Sequence, residues 1–327
     1  MRNYISIIIP MLNEEKYIGK CLEALTRLDS PKIEYEIIVV DNGSKDRSVE
    51  IAKSFNAKVL IKKGVHIAEL RNLGAMNSKG DILSFVDADC VVSKKWLLNA
   101  ISCLESTKSA VVGCVYKIPD NSRWVGKASD IISQKRRSGY VNYLPAGNII
   151  IKKDCFFEVN GFDEGLETNE DYDLCYRLRE KGHKIFSDPS IESVHFGTPY
   201  TINHLFKREL WHGTSTFKVF IKDFKKVRNL KVILFSIFVW VSLINIVIGL
   251  GVLVLIGNSI YVTTSLLSLI LLIGGISLKT AVMHTKIVML PYIFAYYFIY
   301  GLARGISLFK AFYNELLRIL KINNKLL

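Results

Sequence analysis

The sequence predicts an α/β domain built on a doubly wound sheet, followed by interfacial and then transmembrane helices. Three observations predict it. Short apolar runs alternate with amphipathic stretches over roughly the first 115 residues, the rhythm of strands and crossover helices in a parallel sheet. Asn13, Asp41 and Asp87 each fall where such an apolar run ends, the edge at which sheets of this kind bind ligands. From Val232 onward, long runs carry almost no charge, and with 50% hydrophobic residues and a mean hydropathy of +0.25 the 327-residue chain is too apolar for a purely soluble enzyme.

Residues 4–10 read as the first strand. Their apolar patch is short, broken by Pro10 and followed by acids, which is unlike a signal peptide. An amphipathic helix over 16–27, a strand over 35–41 (YEIIVVD), a helix over 46–55 and a short strand over 58–61 come next. Helix 68–78 leads into strand 81–86, helix 94–106 and strand 110–115. Residues 116–200 are less regular and end in two short strands, the last closing on His195. From 201 to 231, aromatic and apolar residues interleave with cations, which suits helices lying in a membrane interface and equally a basic surface helix.

Residues 232–256 suffice to cross about 30 Å of hydrocarbon at about 1.5 Å per residue. Gly257-Asn258 turns, and residues 260–276 return. A third run, 287–303, is shorter and contains Pro291. A full third crossing would place the cations of the tail, Arg304 to Lys325, outside a membrane whose inner face attracts them. A re-entrant or interfacial course is therefore expected there, with a kink at Pro291 and the small Gly301 and Gly305 compatible with it.

Forty-three Lys and Arg against thirty Asp and Glu leave a net charge of +13. Many of the cations (Lys218, Lys222, Lys225, Lys226, Arg228 and Lys231 among them) cluster beside the apolar runs, which points to an anionic leaflet and not to nucleic acid. The six cysteines form no Cys-x-x-Cys pair. They suit a reducing cytosol and argue against a zinc site.

The stretch ILSFVDADCVV runs a buried strand into Asp87 and Asp89. Residues two apart on a strand end project to one side, so both carboxylates can reach one hard cation, Mg²⁺ or Mn²⁺. Without the sheet edge around them they would read as solvated loop acids. In VVDNGSKDRS, Asp41 ends a strand and is placed to accept from a nucleobase N–H or a ribose, while Ser44 or Asp46 caps the next helix. Arg71 and Asn72 lie on a helix facing the same edge, where an arginine pairs with a diphosphate or simply sits on the surface. Asp171 opens a helix over 172–181, as an N-terminal cap or as a group projecting into the site; Glu170 and Asp173 can share the capping.

Five stretches in order, IIIPMLNEEKYIGKCLEAL, EIIVVDNGSKDRS, ELRNLGAMNSKGDILSFVDAD, PAGNIIIKKDCFFEVNGFDE and NEDYDLCYRLREKG, resemble the motifs of family 2 glycosyltransferases with the GT-A fold, over residues 4–196. The resemblance implies that Pro10, Asn13, Glu14 and Asp41 hold the nucleoside, with Arg71 near base and diphosphate. It implies that Asp87 and Asp89 bind the metal, with His195 as a further ligand, and that Asp171 is the general base, with Gly147, Asn148 and Glu170 on the acceptor side. The Gln-x-x-Arg-Trp motif of processive synthases is missing from FKRELWHG, where Lys207, Arg208 and Trp211 either close over a diphosphate or lie on the membrane.

The expectation is an inverting, metal-dependent (Mn or Mg) glycosyltransferase of polysaccharide biosynthesis in the cell membrane. It would take a nucleotide-diphospho-sugar from the cytosol and act on a hydroxyl of a lipid-linked or glycan acceptor. Catalytic residues 1–200 would split into a donor-binding part, 1–115, and an acceptor-binding part, 116–200, ahead of interfacial helices over 201–231 and a membrane region over 232–327. A polyprenyl-phosphate acceptor is the alternative; its oxygen is already anionic and needs no base, so the NED acid favours a hydroxyl. A sugar-phosphate nucleotidylyltransferase would carry a Gly-rich basic first loop where PMLNEEKYIG has acids.

Overall fold

The computed structural model describes residues 4–30, 33–133, 137–214 and 227–323. Two compact units divide the chain: Met1–Asp120 with Gln134–Gly197, and Asn121–Ser133 with Thr198–Leu327. In the first unit, strands β1 (Tyr4–Met11), β2 (Glu34–Asp41), β3 (Lys58–Ile61) and β4 (Ile82–Val86) run parallel in the order β3-β2-β1-β4. Helices α1 (Ile18–Thr26), α2 (Ser48–Ser54) and α3 (Ile67–Met76) connect them. The period of two along β1 sorts its side chains into two layers. Ile5, Ile7, Ile9 and Met11 meet α1 and α4 (Trp96–Thr107) on one face of the sheet, and Ile8 meets α3 on the other. Both faces are covered, which is why these strands are apolar almost throughout.

Beyond β4 the sheet is mixed and departs from the all-parallel expectation. Strand β8 (Asn148–Lys152) pairs antiparallel with β4 and separates it from β6 (Val111–Gly113). Strand β9 (Ile185–Ser187) is parallel to β6, and β7 (Gly139–Tyr140) closes the edge antiparallel to β9. An apolar run such as NIIIK is equally buried in either direction, so its composition does not encode its sense. The consequence for function is positional: an antiparallel strand begins at the edge where its parallel neighbours end. Residues 147–148 thereby arrive beside the carboxyl end of β4. A two-stranded ribbon of β5 (Cys90–Val92) and β10 (Ser193–His195) sets His195 opposite Cys90. Helices α6 (Lys153–Glu158) and α7 (Glu170–Glu180) complete this unit; α7 starts at Glu170, two residues before the expected position, after Asn169 in a left-handed conformation (φ 64°).

The second unit is helical: α5 (Trp124–Ser133), α8 (Ile202–Gly213), α9 (Val227–Ile256), α10 (Ile260–Met283), a short 3-10 turn at Ile287–Met289, and α11 (Leu290–Asn323). Val125, Ala128 and Leu205 pack α5 and α8 against Tyr296 and Ile299 of α11. Glu209, 3% exposed, accepts from Arg304 Nη2 at 3.0 Å and from Arg208 Nη2 at 3.2 Å. Removing one member of such a group would strand the others' charge away from water. Arg208 is therefore turned to Glu209, Ser129 and Tyr296, while Lys207 and Trp211 stay on the exposed side of α8. Lys218, Lys222, Lys225, Lys226 and Lys325 lie outside the described residues.

Three helical stretches are long and apolar enough to cross a membrane: Leu230–Ile256, Ile260–Met283 and Ile287–Asn314. The third is not shorter than its neighbours, and Pro291 does not kink it. As the second residue of α11, Pro291 sits in the first turn, where the missing N–H has no intrahelical acceptor to lose. Gly301 and Gly305 likewise serve packing. A Cβ at Gly301 would press on Val239 and one at Gly305 would overlap the Trp240 indole, whose Nε1 donates to Leu302 O at 3.1 Å. Gly305→Leu is expected to destabilise the helical unit by about 1–3 kcal/mol through overpacking. Thermal unfolding in detergent measures this, with Gly274→Leu, whose Cβ meets nothing within 4 Å, as the variant that should not unfold earlier.

Candidate active site

The carboxyl ends of β1, β2 and β4 and the start of β8 bring most of the expected residues to one edge of the first unit. Two loops there are stitched together by their own polar side chains. Asn13 N–H donates to Ser44 Oγ at 2.8 Å, Asn13 Oδ1 accepts from Lys45 N–H at 2.9 Å, and Glu14 N–H donates to Ser48 Oγ at 2.7 Å. Asn13 takes a left-handed conformation (φ 55°) to make this turn. Pro10 is buried within β1 opposite Val40. Asp41, 1% exposed, accepts from Gly43 N–H (2.8 Å), Ser44 N–H (3.0 Å) and the Ser44 hydroxyl (2.5 Å). Those contacts use most of a carboxylate's acceptor capacity, so Asp41 shapes the turn that follows β2.

Past β4, the ligand atoms of Asp87, Asp89, Cys90 and His195 lie within 4.8 Å of one another. His195 Nε2 stands 3.3 Å from Asp89 Oδ1, and its ring stacks on Tyr116 at 4.8 Å between centroids. Tyr116 in turn donates its hydroxyl to Asp87 Oδ2 at 3.0 Å. Space around the pair is kept by glycine: a Cβ at Gly147 would overlap the Asp87 carboxylate and the Tyr116 hydroxyl, and one at Gly197 would overlap Asp89. Burial raises the Asp89 carboxyl, with Asp87 adding to the rise and His195 opposing it. Burial, then the charges of Asp89, Asp87 and Asp46, pushes Glu14 up to about 7. Carboxylates so crowded lack positive charge. Two of them with an imidazole form a donor set that suits Mn²⁺ or Mg²⁺; the buried Cys90 thiol, held protonated by burial, does not add to it.

Among the described residues, the buried cation of the site is Arg71, 2% exposed. Its Nη2 donates to Asp87 Oδ1 at 2.8 Å and its Nη1 to Glu170 Oε1 at 2.6 Å. The guanidinium expected beside a diphosphate is thus engaged by protein carboxylates. Next to Glu170, Asp171 Oδ2 accepts from the Tyr143 hydroxyl at 2.9 Å and from Ala146 N–H at 3.3 Å, and its Oδ1 from Tyr172 N–H at 2.7 Å. Burial raises the Asp171 carboxyl, against the Tyr143 hydrogen bond and Arg71; burial and the Asp171 charge push Glu170 up to about 7.

Asn148, expected on the acceptor side, has its amide turned into the fold. It is fully buried, its Nδ2 donates to Cys114 O (2.9 Å) and Ile191 O (3.0 Å), and its Oδ1 accepts from Trp96 Nε1 (2.8 Å). Every strong contact of that amide is internal, so it fixes the start of β8. Asn72 is likewise structural: its side chain holds Phe162 N–H (2.9 Å) and the Phe162 carbonyl (2.9 Å). Sequence reasoning missed Tyr116 and Tyr143. Both lie in the irregular region that follows β6, where no periodicity marks a residue as facing the site.

The profile of "Glycosyl transferase family 2" matches residues 6–162. Glycosyltransferase AglE of Haloferax volcanii is 28% identical over 250 residues, covering 73% of this chain and 80% of its own. A Methanococcus voltae enzyme, dolichyl N-acetyl-alpha-D-glucosaminyl phosphate 3-beta-D-2,3-diacetamido-2,3-dideoxy-beta-D-glucuronosyltransferase, is 26% identical over 236 residues, 65% of this chain and 73% of its own. Among solved structures, mannosyltransferase PcManGT from Pyrobaculum calidifontis, in complex with GDP-Man and Mn²⁺, superposes with a TM-score of 0.59 at 16% identity, over 94% of this chain and 88% of that one. Staphylococcus aureus TarS 1–349 does so with a TM-score of 0.51 at 21% identity, over 66% and 65%. The fold they share is GT-A. Because Gly147 leaves no room for a side chain beside Asp87, Gly147→Ala is expected to lower whatever divalent-cation affinity the parent shows about 10- to 100-fold, as read by isothermal titration with Mn²⁺ in the absence of donor.

Proposed function

Since the chain belongs to glycosyltransferase family 2, we propose that it is an inverting, metal-dependent enzyme that moves a sugar from a nucleotide-diphospho-sugar onto a hydroxyl of a lipid-linked or glycan acceptor. The observation that carries this reading is the pairing of two unlike carboxylate sites on one sheet edge. One is the Asp87, Asp89 and His195 cluster with its surplus of negative charge, and the other is Asp171, held by Tyr143 and Ala146. The loops of Asn13, Glu14 and the Asp41-held turn frame the nucleoside, next to Pro10. Asp87, Asp89 and His195 would hold a divalent cation, which would supply charge neutralisation for the departing diphosphate.

The remaining work falls to the chain's own side chains. Asp171 accepts the proton of the acceptor hydroxyl as that oxygen bonds to the anomeric carbon. The bond from that carbon to the diphosphate oxygen breaks on the opposite face, and the nucleoside diphosphate leaves with the electron pair. Tyr143 and Ala146 N–H hold Oδ2, which leaves Oδ1, bonded among the described residues to the neighbouring N–H, as the oxygen that takes the proton. Burial, by raising the Asp171 carboxyl above the ordinary aspartate range, makes it a stronger base than an exposed one.

Helices α9 to α11 would anchor the enzyme, with the sheet unit in the cytosol where activated sugars and reduced cysteines belong. The Methanococcus voltae relative acts, by its name, on a dolichyl-phosphate-linked sugar, which supports a lipid-linked acceptor. Asp171→Asn is expected to lower turnover by about 10² to 10⁴ with donor affinity nearly intact. Activity retained in that variant would favour the phosphate acceptor, which needs no base. Activity of the parent should fall as pH drops through the Asp171 carboxyl. Tyr143→Phe, which removes a hydrogen bond to the charged form, should move that acid limb to higher pH; a pH profile of kcat under saturating donor checks the sign.

A further inference from the structure

Arg71 belongs to α3, yet it joins two carboxylates from different parts of the site. Asp87 ends β4, and Glu170 opens α7, 99 residues from Arg71 in sequence. Side-chain exposure is 3% for Arg71, 9% for Glu170 and 22% for Asp87, so water screens these contacts little. Glu170 is not among the atoms grouped around Asp87, Asp89, Cys90 and His195, and reaches that group through the guanidinium. One guanidinium divided between two carboxylates neutralises each only in part. The share taken by Glu170 leaves negative charge on Asp87 for another cation.

Resting on the reading of Asp87 and Asp89 as a cation pair, we infer that Glu170, acting through Arg71, is a positioning residue that sets the divalent-cation affinity of Asp87. Without the Glu170 charge, Arg71 would lean on Asp87 alone and compete with the metal. The link is reciprocal: whatever changes cation binding at Asp87 also changes the pull on the first turn of α7. Asp171 is the next residue of that turn, so metal loading on the donor side and placement of the proton acceptor are tied through one side chain. A purely structural ion pair predicts otherwise, a loss of thermal stability with cation affinity unchanged.

The experiment is calorimetric titration of the full chain in detergent with Mn²⁺ alone, with no donor or turnover involved. Glu170→Gln keeps an oxygen for Arg71 and removes the charge; the Mn²⁺ affinity should fall about three- to tenfold. Thermal unfolding in the same detergent verifies that the variant is folded. Glu170→Asp, which keeps the charge but shortens its reach to Arg71, should weaken Mn²⁺ in the same direction and serves if the Gln variant does not fold. An Mn²⁺ affinity within about twofold of the parent in either folded variant overturns the inference and leaves the cation pair standing, provided Asp89→Ala abolishes the binding. Mn²⁺ binding that survives Asp89→Ala overturns the cation-pair reading, and the inference with it.

Discussion

Five carboxylates, those of Glu14, Asp87, Asp89, Glu170 and Asp171, converge on one edge of the sheet, and among the described residues the guanidinium buried with them is that of Arg71. Uncompensated, several partly buried charges of one sign would shift their protonation or open the edge to water. Arg71 removes the worst of that strain at its centre by bonding Asp87 and Glu170 at once. What it leaves uncompensated, around Asp89 and Glu14, is the charge that a divalent cation would meet. The edge is thus short of positive charge, which Arg71 offsets only in part.

The sheet's change of direction is what makes that convergence possible. Parallel strands β1, β2 and β4 deliver Asn13, Asp41 and Asp87 to the edge as they end. The antiparallel β8 delivers Gly147 to the same edge as it begins, directly against the Asp87 carboxylate. Asn148, one residue on, ties that start to Trp96 and to the carbonyls of Cys114 and Ile191, so the backbone around Asp87 is held from three directions. Beyond it the β5–β10 ribbon sets His195 beside Asp89. Two of these three devices use residues with no ionisable group, which places Gly147 and Asn148 in the architecture of the site.

The helical unit obeys a different economy of contacts. Its outward side chains on α9 and α10, such as Ile244, Val247, Leu267 and Leu271, are apolar and exposed, which suits hydrocarbon and not water. Inside, close approach comes from Gly301 and Gly305 against Val239 and Trp240, the small-residue logic of helices that gain little from hiding apolar surface from lipid. A polar group of Arg208, Glu209 and Arg304 with Tyr296 and Ser129 ties α5 and α8 to α11, and single hydrogen bonds such as that from Trp240 to Leu302 O add to it.

The amino-acid sequence by itself determined whatever depends on neighbours a few residues apart. Alternation of apolar runs placed β1 to β4 and their helices, the position of Asp87 and Asp89 at a strand end followed from that alternation, and charge-free length marked α9 and α10. The membership of residues 6–162 in a glycosyltransferase family was legible too, because motif order survives where contacts are unknown. Only the tertiary structure decided the direction of residues 148–152, whose burial is the same either way, and the place of Pro291, harmless once α11 begins at Leu290. It alone showed Arg71 shared by Asp87 and Glu170, Tyr143 on Asp171 and Tyr116 on Asp87, pairs from 16 to 99 residues apart. The physical reason is common to all of these. Local periodicity reports which face of an element is buried, whereas the partner of a buried polar group is chosen by which distant backbone the fold brings within about 3 Å.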